Sequence, residues 1–130
     1  MITHNVSGFD KRIVSNILTL KSAPILVNLQ ETYHLPSSKD IFDETGKYLT
    51  FHSTGVDEGA TDAKRKGGLI TYVRADIGSN CYTYKKSSRY LVTVIGKLVN
   101  INCYLPQPQL YQSGEYKECI QGGHNKTHTF

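Results

Sequence analysis

Glu31 follows directly on the most apolar short run of the chain, Ile25-Leu26-Val27-Asn28-Leu29, in the segment Leu29-Gln30-Glu31-Thr32. Ligand sites in α/β sheets lie outside the carboxyl ends of the strands, so a carboxylate there is well placed to hold a hard cation. A plain surface Glu at the start of a loop is the competing reading. Asn5 occupies the same kind of position after an earlier strand-like run, Ile2-Thr3-His4-Asn5-Val6. Its amide oxygen could orient the carboxylate or a bound water, and taken singly it reads as a turn residue. Tyr104 closes the last β-rich run, where its phenol could donate a hydrogen bond to phosphate or pack as an ordinary aromatic. Lys64-Arg65-Lys66, with Lys85, Lys86 and Arg89, could follow a nucleic-acid backbone, although a solvated surface is the commoner meaning of such runs. Tyr82, Tyr84 and Tyr90 near that set are more often packing than a stacking platform. Cys119, His124 and His128 have a loose metal-ligand look without a matching fourth ligand, so zinc is not expected.

The elements that must position these groups are legible from periodicity. Ser7-Gly8-Phe9-Asp10 reads as a capping box, and Phe9, Ile13, Ile17 and Leu20 follow at helical spacing, which predicts one amphipathic helix over about 9–21 closed by Pro24. Strand, helix and buried strand together make a unit that places its two strands side by side and parallel. Tyr48 to Ser53 alternates as a half-exposed strand, with Leu49 and Phe51 on one face. Gly55 to Gly68 holds four Gly and almost no large apolar residue, so it reads as a surface loop with nothing to anchor its middle. Leu69–Val73, Cys81–Tyr84, Tyr90–Ile95 and Leu98–Tyr104 are β-rich, and Gly96-Lys97 reads as a hairpin turn. Residues 109–130 are polar and read as a poorly ordered tail.

The 130 residues suffice for one domain, and 38% apolar with 20% charged residues is far from the signature of disorder. A net charge of +4 mildly favours a polyanionic partner. Three widely spaced cysteines without a Cys-x-x-Cys pair argue against a disulfide framework. Neither a signal peptide nor a run of roughly 20 apolar residues is visible, so an intracellular protein, nuclear or cytoplasmic and with no membrane partner, is expected.

Taken together, four segments have a familiar order: His4-Asn5-Val6-Ser7-Gly8, Ile25 to Thr32, Gly67-Gly68-Leu69-Ile70, and Ile101-Asn102-Cys103-Tyr104-Leu105-Pro106. In that order and spacing they resemble the endonuclease/exonuclease/phosphatase (DNase I-like) superfamily, most of all the apurinic-like endonuclease domain of non-LTR retrotransposons. The resemblance covers residues 1–108. It implies an α/β (α+β) fold, an incomplete DNase I-like β-sandwich with a mixed sheet and flanking helices. It also implies catalytic roles for Asn5, Glu31 and Tyr104, with Glu31 and Asn5 at a magnesium or manganese ion, and DNA as partner without a small-molecule cofactor. Such an ion polarises phosphodiester oxygens while a base activates an in-line water.

The chain departs from the family in two places. Gln107 stands where Asn often follows Tyr-x-Pro, and no Asp occurs after Asp76, so the family's later Asp-x-Asn and Asp-His segments have no counterpart. The expectation is a truncated phosphodiesterase domain, inactive alone. Its rivals are a catalytically empty nucleic-acid-binding remnant and a gene fragment with no independent function. Because the parent fold packs two sheets face to face, the runs 69–73, 90–95 and 98–104 are expected to form one apolar face left uncovered.

Overall fold

A computed structural model of the chain describes residues 1–77 and 80–105. Among them are seven strands and one α-helix: β1 (Ile2–Asn5), α1 (Lys11–Leu18), β2 (Leu26–Gln30), β3 (Tyr48–Ser53), β4 (Leu69–Arg74), β5 (Cys81–Lys86), β6 (Tyr90–Ile95) and β7 (Leu98–Cys103). They form two sheets, ordered β1-β2-β4-β3 and β5-β6-β7. The first is mixed, because β1 and β2 run parallel across α1 while β4 pairs antiparallel with both β2 and β3. The second is antiparallel throughout. The class is therefore mixed α+β, with a single helix among the described residues where flanking helices are expected. The polar tail, Gln107, Cys119, His124 and His128 lie outside the described residues.

The helix is shorter than its apolar periodicity predicts, and Asp10 rather than Ser7 is its N-cap: the Asp10 carboxylate accepts from the Arg12 N–H at 2.9 Å. Ser7 and Gly8 instead turn the chain out of β1 with φ of +47° and +110°. That later start rotates the buried stripe to Val14 and Leu18, four residues apart, with Phe9 and Ile17 packed beside them. Ile13 and Leu20, expected in the stripe, are about half exposed. The helix covers Val27 and Leu29 of β2, Ile70 and Tyr72 of β4, and Tyr48 of β3. Tyr72 is anchored there by donating to the Ile41 carbonyl at 2.5 Å, and burial raises its pKa far above the usual phenol range.

The opposite face of the first sheet meets the second sheet. The three apolar runs expected on one sheet are thus divided, β4 on one side and β6 and β7 on the other, and they face each other within the chain. Leu69, Val73 and Leu91 are fully buried, and Leu69 and Val73 share a face of β4 with Thr71 by strand alternation. The interface is not uniformly apolar. Asn28 and Asn100 exchange hydrogen bonds of 2.9 and 2.8 Å, and Thr71 donates to the Asn28 amide oxygen at 2.8 Å. Gln30 donates to Asn102 at 2.8 Å, and the Asn102 amide donates to the Leu29 and Ile70 carbonyls at 3.1 and 3.0 Å.

Buried amides are stabilising only when every donor and acceptor is met, and these meet only in one sliding position of sheet on sheet. The amide row therefore fixes how β7 sits over β2, and with it where Tyr104 stands relative to Asn5. Thr93 is the exception. Its hydroxyl is the one buried side-chain polar atom without a hydrogen-bond partner among the described residues.

Candidate functional site

β1 and β2 end side by side, Asn5 in register with Gln30. Residues in register on neighbouring strands share a face, so Asn5 lies on the same face as Gln30, beyond Thr3 and Asn28. Tyr104 follows Asn102 by two residues on β7's continuation, where its N–H donates to the Arg89 carbonyl at 2.8 Å. Strand alternation thus brings Asn5 and Tyr104 to one rim, at the end of the amide row that joins the sheets. The Asn5 amide oxygen accepts from the Ser7 N–H at 3.2 Å and the Ser7 hydroxyl at 3.4 Å, which turns the exposed amide toward the β1 exit.

Glu31 departs from strand geometry with φ +54°, and Tyr33 repeats the departure at +53°. Non-glycine residues held in the left-handed region cost on the order of 1–3 kcal/mol each and persist only where their surroundings enforce them. Here the enforcement is a double ladder. Gly8 and Phe9 N–H groups donate to the Glu31 and Thr32 carbonyls at 2.7 and 2.8 Å, and Thr32 and Tyr33 N–H groups donate to the Gly68 and Gly67 carbonyls at 3.2 and 3.0 Å. Gly68, at φ +97°, leaves no room for a Cβ, which would collide with the Thr32 hydroxyl. The 31–33 segment is clamped between the exit of β1 and the start of β4.

This clamp holds Glu31 at only 8% exposure, with no hydrogen bond or ion pair to its carboxylate among the described residues. Its carboxylate oxygens nevertheless keep access to solvent, since Thr93 Oγ1 is the one unpartnered buried side-chain polar atom among the described residues, so a hydrated cation can reach them. The donor set suits a hard ion: a carboxylate and an amide, both oxygen ligands, are what magnesium accepts while retaining several waters. No group of three or more His, Cys, Asp or Glu able to hold a metal occurs among the described residues.

No protein-family model and no curated protein matches this chain. The functional reading accordingly rests on the geometry of the rim and on the motifs of the sequence.

Two features of the rim are not visible in the sequence. Thr32 Oγ1 lies 2.6 Å from His34 Nδ1, and His34 Nε2 lies 3.1 Å from His52 Nδ1. Burial, followed by the nearby His52 and Lys86, lowers the His34 pKa to about 4, so its ring is neutral at pH 7. Burial, followed by Lys86, lowers His52 as well. This chain of side chains backs the segment that carries Glu31. The two histidines are 18 residues apart, and β3 must pair with β4 before they meet; only Thr32 and His34, two apart, were open to a local reading.

The second feature is the loop 55–68. Its later part is tied down, with Arg65 over the Tyr33 ring at 5.9 Å, while Asp57, Glu58, Gly59, Thr61 and Asp62 of its middle are exposed and the Lys64 N–H donates to the Asp62 carboxylate at 2.9 Å within the loop itself. Of the basic residues named above, Arg65, Lys66 and Arg89 line one cavity with Tyr104, while Lys86 donates to the His52 carbonyl at 3.3 Å. Tyr82 and Tyr84 are 52% and 69% exposed on β5, and a register shift between Thr83 and Lys85 leaves Tyr84 outside the ladder. Cys81 and Cys103 are half-buried on β5 and β7, and no helix among the described residues is long and apolar enough to cross a membrane.

Proposed function

We propose that this chain is the N-terminal portion of a divalent-metal-dependent phosphodiesterase of the endonuclease/exonuclease/phosphatase type, with a DNase I-like sandwich, that cleaves nucleic acid in its full-length relatives. The observation that carries the reading is Glu31, largely buried immediately after β2 and tied through its carbonyl to the exit of β1, the strand that ends in Asn5. A magnesium or manganese ion would supply Lewis acidity toward the phosphate oxygens there. Glu31 and Asn5 would hold it, and Tyr104 would donate a hydrogen bond to the phosphate. The two packed sheets, the mixed first sheet and the helix outside it support the fold part of the proposal.

A second reading, a binding module without hydrolysis, is favoured by one observation: no group of three or more His, Cys, Asp or Glu able to hold a metal occurs among the described residues. A general base is worth about two to four orders of magnitude in rate, so its loss would leave binding without turnover.

The test is manganese titration followed by NMR. Paramagnetic broadening of the Asn5, Glu31 and Thr32 amides at sub-stoichiometric manganese, lost in Glu31→Gln, is the expected result; broadening that ignores the substitution would defeat the metal assignment. Supercoiled plasmid incubated with magnesium separates the two readings. The chain alone is expected to leave it uncut, and nicking that disappears with EDTA and in Glu31→Gln would show that the rim is catalytically complete.

A further inference from the structure

Two serines of the chain stand three residues after a Lys or Arg: Ser15, after Arg12, and Ser88, after Lys85. Both are exposed. A serine kinase holds its substrate as an extended segment, and kinases that select basic substrates offer acidic side chains to the residues just before the serine. The fold treats the two serines oppositely. Ser15 lies within α1, where its carbonyl accepts from the Thr19 N–H at 3.0 Å and the Thr19 hydroxyl at 2.7 Å. A helix spans only about 4.5 Å over three residues, against about 10 Å in a strand, so Arg12 and Ser15 are not displayed as an extended segment.

Ser88 is displayed that way. β5 is an edge strand of the second sheet, and Lys85 and Lys86 are extended and exposed at its end. Ser88 and Arg89 then form the tip of the β5–β6 hairpin, closed by the Ser87 N–H donating to the Tyr90 carbonyl at 2.8 Å. The two adjacent serines differ in what their oxygens do. Ser87 Oγ accepts from the Arg89 and Tyr90 N–H groups at 3.1 and 3.3 Å and is half-buried. The exposed Ser88 hydroxyl makes no hydrogen bond among the described residues. No Asp or Glu occurs over residues 80–105, so the hairpin itself does not repel an acidic groove. Glu58, from the 55–68 loop, is the one acid lining the hollow that Lys86 and Ser88 share.

We propose that Ser88 is a phosphorylation site for a serine kinase that selects basic substrates, with Lys85 and Lys86 as the residues it recognises. The site stands independently of the phosphodiesterase reading. The step is a phosphoryl transfer from ATP. Ser88 Oγ attacks the γ-phosphorus and a new O–P bond forms. The bond from that phosphorus to the β–γ bridging oxygen breaks, its electron pair leaves on ADP, and the hydroxyl proton passes to the kinase's carboxylate base. The product adds about two negative charges to a hairpin whose own charges are all positive.

The experiment incubates the full chain with magnesium-ATP and, as probe, the catalytic subunit of a cyclic-nucleotide-dependent protein kinase, which selects serines preceded by basic residues. Fragmentation mass spectrometry locates the phosphate. Wild type is compared with Ser88→Ala, Ser15→Ala and Lys85→Gln/Lys86→Gln, and thermal melts establish that each is folded. Wild type and Ser15→Ala are expected to carry phosphate on Ser88, with kcat/KM at that site at least about tenfold lower in the Lys double variant. Ser88→Ala should gain no phosphate on the hairpin. A kinase that selects acidic substrates should leave Ser88 unmodified.

No phosphate on Ser88 of the folded wild type would overturn the proposal, whether Ser15 or Ser87 is modified instead or nothing is. So would a Lys double variant modified at the wild-type rate, or equal modification of Ser88 by the two kinases, since either would show that exposure alone and not the basic pair selects the site.

Discussion

The His34 ring should make this protein lose stability as acid is added, well before its carboxylates titrate. An unfolded His titrates near its ordinary 6.5, whereas His34 in the folded chain titrates at about 4. Between those values the unfolded state carries the extra proton, so stability rises with pH there by about 1.4 kcal/mol per unit. The full contribution, about 3 kcal/mol, is present above pH 6.5 and is gone below pH 4. His52 acts in the same sense, because burial and Lys86 lower its pKa too. Protonating His34 makes both ring nitrogens donors, and the pair with His52 survives only while His52 offers a lone pair. Urea unfolding at half-unit steps from pH 7.5 to 4, on wild type and His34→Gln, reads the effect as a difference in slope. The variant should lack about 1.4 kcal/mol per unit of the wild-type dependence in this window. Imidazole carbon shifts followed by NMR give the titration directly. A His34 midpoint near 6.5, or parallel stability curves for the two proteins, would refute the argument that burial keeps this ring neutral.

Thr93→Val should stabilise the protein by about 1 kcal/mol, since it replaces a buried hydroxyl that lacks a partner with a methyl of similar shape; a lower urea midpoint would mean the hydroxyl has an acceptor. Gly68→Ala should cost at least about 3 kcal/mol, from the collision with Thr32 together with the φ of +97°. A change below about 1 kcal/mol in denaturant melts would show that the 31–33 segment yields rather than being clamped.

Much of the local structure was legible in the sequence. Runs rich in Val, Ile, Tyr and Thr mark each of the later strands, and the apolar run before Gln30 marks β2, because β-branched and aromatic side chains pack on a pleated surface. The same runs place Asn5, Glu31 and Tyr104 at strand ends, where a carboxylate, an amide and a phenol can face a ligand. The limits appear where side chains meet across the fold. Phe9, Ile13, Ile17 and Leu20 repeat at helical spacing, yet the Asp10 cap shifts the start of α1 and turns Val14 and Leu18 inward. Asn28, Asn100 and Asn102 read as polar interruptions, because an amide is equally at home in water and in a satisfied buried pair. Their partners lie 72 residues apart in sequence, so no local window can tell the two cases apart. Alternation tells which residues share a face but not what that face meets. Tertiary packing alone decided that the apolar runs fall on two opposed sheets, that His34 and His52 join behind the segment of Glu31, and that Arg65, Lys66 and Arg89 line one cavity with Tyr104. Each of these depends on strand pairing and sheet packing between distant segments, which is where chain entropy is spent and where local propensity is silent.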